Sequence, residues 1–98
     1  MPGDSPSWTL LHFLDRLDAW EALESPDDDL RLIVTAWVLS RFDDPYRDVH
    51  REKGFANLWF GAVPGTEDGG TVVTCSYWIE ESSRTLQCDR IASLNLPL

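Results

Sequence analysis

Ninety-eight residues suffice for one domain with a real core but a large surface, and 43% hydrophobic with 26% charged residues is the mix of a folded chain. A formal charge of −9 repels phosphate backbones, so general nucleic-acid binding is disfavoured; the charge suits a basic protein partner or, as the plainer interpretation, a well-solvated surface. No apolar run approaches the roughly 18–20 residues of a membrane-spanning helix, and no basic stretch leads into an apolar one, so a cytoplasmic protein without membrane contact is expected.

In chain order, Ser5-Pro6 can open a helix, serine as N-cap and proline at the first helical position. Leu10, Phe13, Leu14, Leu17 and Trp20 then follow helical spacing, with Asp15, Asp18 and Glu21 outside the stripe. Trp8–Phe13 is alternatively a short strand, because Trp-Thr-Leu-Leu-His-Phe is not strongly amphipathic; helix is the preferred reading. Ser25-Pro26-Asp27-Asp28-Asp29 is the cleanest local signal: serine caps, proline follows, and three carboxylates meet the positive end of the helix dipole. Leu30, Ile33, Val34, Trp37, Val38 and Phe42 form the apolar stripe, widened by Leu32, Ala36 and Leu39. A helix apolar over so much of its circumference is expected to be covered on two sides, between the sheet and the first helix. Asp43-Asp44-Pro45 ends it, since a residue before proline is pushed out of the helical region.

Tyr46–Phe55 is a polar, mixed-charge connection closed by Gly54. Strands are expected over Asn57–Val63, Thr71–Glu80 and Thr85–Leu94, separated by Pro64-Gly65, the Asp68-Gly69-Gly70 turn and the polar turn Glu81–Arg84. In the middle strand Val73, Cys75, Tyr77 and Ile79 share one face, and Val72, Thr74, Ser76 and Trp78 the other. In the last, Leu86, Cys88, Ala92 and Leu94 share a face that Arg90 interrupts; Asn95–Leu98 reads as coil. The expected architecture is α+β: two N-terminal helices (about 6–44) packed on a three-stranded antiparallel β-meander (about 57–94), one domain over 1–98.

Arg47, His50, Arg51 and Lys53 gather four potential cations in the link between helix and sheet, a candidate grip for a phosphate or carboxylate. A solvated loop paired with Asp48, Glu52 and the acids ending the second helix is the plainer interpretation. Arg90 on an apolar face needs a carboxylate, a rim position or a ligand, because an unpaired buried charge is costly. Trp78, Val72 and Ile91 would face away from the helices and form a partner surface, for a homodimer or a bound helix, unless a chain terminus covers them. Cys75 and Cys88 fall on one face of adjacent strands, opposite or diagonal according to register, and read as buried thiols. No metal site and no cofactor are expected.

The helix pair with Leu30–Phe42 as second member, the Asp44-Pro45-Tyr46-Arg47 link, Asn57-Leu58-Trp59-Phe60 and the hairpin Tyr77-Trp78-Ile79-Glu80…Thr85-Leu86-Gln87-Cys88 together resemble the RelE/ParE-type toxin fold of bacterial toxin–antitoxin systems. The resemblance covers roughly residues 10–94 by pattern. It implies a usual leading strand, an antitoxin partner, and either ribosome-dependent mRNA cleavage or gyrase inhibition. A ribonuclease of this type would draw on Arg47, His50, Arg51 and Arg90. An mRNA cleaver must stabilise negative charge, which a −9 chain does poorly. The expected function is therefore a small acidic, non-catalytic protein-binding module. The alternatives are a ribonuclease or gyrase inhibitor, and an acidic inhibitor or regulator of a basic nucleic-acid-binding protein.

Overall fold

The computed structural model describes residues 8–95. Its elements run β1 (Thr9–Leu11), α1 (Phe13–Glu24), α2 (Asp28–Ser40), β2 (His50–Arg51), β3 (Leu58–Ala62), β4 (Thr71–Glu80) and β5 (Thr85–Asn95). The strands form one five-stranded mixed sheet in the order β1-β5-β4-β3-β2. The α+β class is as expected, and β3, β4 and β5 form the antiparallel meander. The sheet nevertheless has five strands where three were expected.

Of the two added strands, β1 is the larger correction. Thr9–Leu11 pairs in parallel with Thr85–Gln87, so the strand alternative holds there and the helix begins only at Phe13. Local periodicity could not decide this, because the backbone groups of β1 are satisfied by an edge some 75 residues away. His12 turns the chain between strand and helix in the left-handed region, at φ 65°. The Ser5-Pro6 opening lies outside the described residues. β2 is a two-residue edge formed where the polar link passes β3, with His50 opposite Phe60 and Arg51 opposite Trp59.

The helix junction also differs from expectation. Ser25 adopts φ 48° and closes α1 through its N–H to the Glu21 carbonyl, which leaves Asp27 as the cap of α2. The Asp27 side chain accepts from the Leu30 N–H at 2.8 Å. Each helix sends its own face to one shared core: Phe13, Leu17 and Trp20 from α1, Val34, Trp37 and Val38 from α2. The first helix does not cover the second apolar side of α2, so α2 is not covered on two sides. Leu32 and Leu39 are 69% and 57% exposed.

Val73, Cys75, Tyr77 and Ile79 face this core, together with Leu86, Cys88 and Ile91 of β5. A large side chain buried so completely contributes about 1.5–3 kcal/mol. Arg41, at the end of α2, is 1% exposed and makes no ion pair among the described residues. It donates to the carbonyls of Trp37 and Arg47, to Ser40 Oγ and to the Tyr77 hydroxyl, and lies 4.0 Å over the Trp37 ring. A cation is favoured there by the carbonyl end of the helix.

Trp8, Tyr46 and Trp59 stack edge to face in sequence, at 6.2 and 5.2 Å, and fasten the link against the leading strand and β3. No helix among the described residues is long and apolar enough to cross a membrane.

Candidate functional site

One face of the sheet carries the helices; the other has no helix on it among the described residues. Which side chains reach that open face depends on a bulge in β5. Ile79 pairs with Leu86 and Tyr77 with Cys88, but Ser76 pairs with Arg90, leaving Asp89 as an extra residue. An extra residue reverses the alternation beyond it. Arg90, which unbroken alternation assigned to the core face, is turned outward and exposed, while Ile91 is turned inward and 6% exposed. Cys75 therefore lies opposite Ile91 and diagonal to Cys88.

Read across the strands, one row of the open face is Leu11, Gln87, Trp78 and Leu58; the next is Arg90, Ser76, Phe60 and His50. The Phe55 ring meets Trp78 edge-on at 5.8 Å, and His50 lies against Phe60 at 5.9 Å. Between these groups is a groove of about 390 Å³ whose apolar walls are Phe55, Leu58, Phe60 and Leu94. Phe55 and Leu94 are each 49% exposed. The polar groups of the groove include Glu52, Asp89 and Arg90. Asp89 accepts from Ser76 Oγ at 2.9 Å, whereas Arg90 has no ion-pair partner among the described residues.

The residues expected to form a partner surface are thus divided. Trp78 is half-buried beneath Phe55, Val72 is 5% exposed, and Ile91 belongs to the core. The basic cluster does not converge either. Arg47 is 3.7 Å from Asp44, with its carbonyl taken by Arg41, and Lys53 sits in the exposed turn beyond β2. His50 and Arg51 point to opposite faces of β2. His50 and Arg90 share the open face but stand three strand spacings apart, about 14 Å.

The titratable groups behind the groove are quiet ones. The Cys88 thiol beside it, with burial, pushes the Cys75 thiol well up, which keeps it protonated and unreactive. Burial pushes the Tyr77 hydroxyl up to about 12 despite Arg41. Burial alone would raise Glu24, but hydrogen bonds from the Ser93 N–H and Oγ and from Trp20 Nε1, with Arg90 nearby, hold its carboxyl below the usual value. Among the described residues no group of three or more His, Cys, Asp or Glu is placed to hold a metal ion.

Phe55 and Phe60 did not stand out in the sequence as groove residues, although Leu58-Trp59-Phe60 is apolar on both faces of its strand; Leu94, which unbroken alternation set on one face with Leu86 and Cys88, is carried to the open face by the bulge. Comparison with protein-family models, curated proteins and solved structures gives no match.

Proposed function

We propose that the chain is a non-catalytic protein-binding module that receives its partner on the open face of the sheet. The observation that carries this reading is the groove between Phe55, Phe60 and Leu94, apolar in its walls and edged by Arg90, which makes no ion pair among the described residues. Its occupant is an extended protein segment with apolar side chains on either side of a carboxylate, the carboxylate meeting Arg90 and the apolar groups entering the groove. Such a segment suits a groove that runs across β3, β4 and β5 better than a flat surface does.

The RelE/ParE-like relationship is part of the proposal, supported by the helix pair that delivers the chain into the meander and by a strand ahead of the helices. Ribonuclease activity receives no such support, because Arg47, His50, Arg51 and Arg90 do not close on one phosphate-sized space.

Selection of a displayed random-peptide library against the chain tests the reading. Selected peptides are expected to share the apolar–acidic–apolar pattern and to bind at least tenfold more weakly to Arg90→Gln and to Phe60→Ser, both of which keep the parent melting temperature. Binders indifferent to both substitutions would overturn the assignment. Growth arrest on expression, relieved by Arg51→Ala or Arg90→Ala, would favour the nuclease instead.

A further inference from the structure

The second unpartnered surface lies on the opposite side of the molecule. On α2, Leu32, Thr35, Ala36 and Leu39 fall at i, i+3, i+4 and i+7, the spacing of a helix-packing seam, and this seam points away from Val34, Trp37 and Val38 in the core. Leu32 at 69% and Leu39 at 57% are more exposed than any apolar side chain of the sheet groove. The seam is about 10 Å long at 1.5 Å per residue. Beside it, between the helices, runs a groove of about 460 Å³ lined by Glu21, Asp28, Arg31, Leu32 and Thr35. A helix with two apolar faces in a chain that covers only one of them leaves the other for a partner.

Charge identifies the kind of partner. Acids stand at both ends of the seam, Asp28 and Asp29 at one and Asp43 and Asp44 at the other, with Glu21 along the adjoining groove. Arg31 is engaged by Glu21 at 3.5 Å and by Asp28, and Arg47 by Asp44 at 3.7 Å, which leaves Asp29 at one end and Asp43 at the other as acids without an ion pair among the described residues. Two copies of α2 laid antiparallel would bring Asp28 and Asp29 against Asp43 and Asp44, and laid parallel would bring each pair against itself, so self-pairing is opposed in either direction. We infer that this seam docks a cationic amphipathic helix from another protein, its aliphatic stripe on Leu32 and Leu39 and its lysines or arginines over the flanking acids. This goes beyond the sheet-face reading and stands independently of it.

A designed helical peptide with a leucine seam flanked by lysines, and a twin with glutamates at the flanking positions, test the inference by calorimetry. The lysine peptide is expected to bind, to weaken as salt is raised, and to weaken at least tenfold on Leu32→Gln/Leu39→Gln, while Phe60→Ser leaves binding unchanged. Both leucines are exposed, so the double variant should keep the parent melting temperature. The inference is overturned if the glutamate twin binds as well, if the double variant binds as the parent does, or if Phe60→Ser abolishes binding. It is also overturned if the free chain is a dimer that the double variant dissociates, because the occupant would then be a second copy.

Discussion

Arg90 and Ile91 show how much one residue can decide. A single extra residue, Asp89, places the guanidinium on the open face and the aliphatic side chain in the core. At the same scale, Tyr77 joins the layers, donating to the Pro45 carbonyl while accepting from Arg41. Its hydroxyl is raised from 10.0 to about 12 by burial, and Tyr46 is raised to about 12 by burial and by its bond to Glu81. A folded pKa above the unfolded one means stability that is fully present below about pH 10 and lost as pH rises through about 12. Alkaline titration followed by tyrosinate absorbance should therefore show little ionisation near 10.0 while the chain stays folded. Ionisation of both tyrosines at the ordinary value in folded protein would contradict the burial argument. Tyr77→Phe should cost about 1 kcal/mol at neutral pH, through the lost hydrogen bonds, and remove this residue's share of the alkaline instability.

At the scale of elements, the link between α2 and β3 is held down rather than merely tethered. The aromatic series Trp8–Tyr46–Trp59 fastens its start, and β2 fastens its end. Between them the backbone passes so close to β3 that a Cβ on Gly61 would meet the Asp48 carbonyl oxygen at 2.9 Å and Val49 Cγ1 at 2.9 Å. Gly61→Ala must therefore push the link outward, at about 1–3 kcal/mol. Chemical denaturation should register that loss, and an unchanged midpoint would mean that the link does not rest on β3. Asp27, not Ser25, caps α2 because the left-handed Ser25 already belongs to the end of α1.

At the scale of the whole molecule, the two layers formed by the described residues leave apolar surface exposed on the sheet and on α2. Net charge keeps such a surface from self-association, and at −9 it also strains the folded state by self-repulsion. The three arginine–carboxylate pairs among the described residues involve largely solvent-exposed side chains and offset little of this. Raising NaCl from about 20 to about 300 mM should accordingly raise the melting temperature by a few degrees, as screening relieves repulsion. A flat or falling melting temperature would show that the acids are locally compensated.

The sequence by itself determined the meander: the turns at Asp68-Gly69-Gly70 and Glu81–Arg84, the extent of β4, and its inward face of Val73, Cys75, Tyr77 and Ile79. These depend on short-range turn chemistry and on a period of two, both carried by neighbouring residues. Only the tertiary structure decided that Thr9–Leu11 is a strand, that α2 is covered on one face, and that Arg90 rather than Ile91 looks outward. Each of those depends on a pairing between distant segments, or on one unpaired residue in a ladder, and local pattern carries neither.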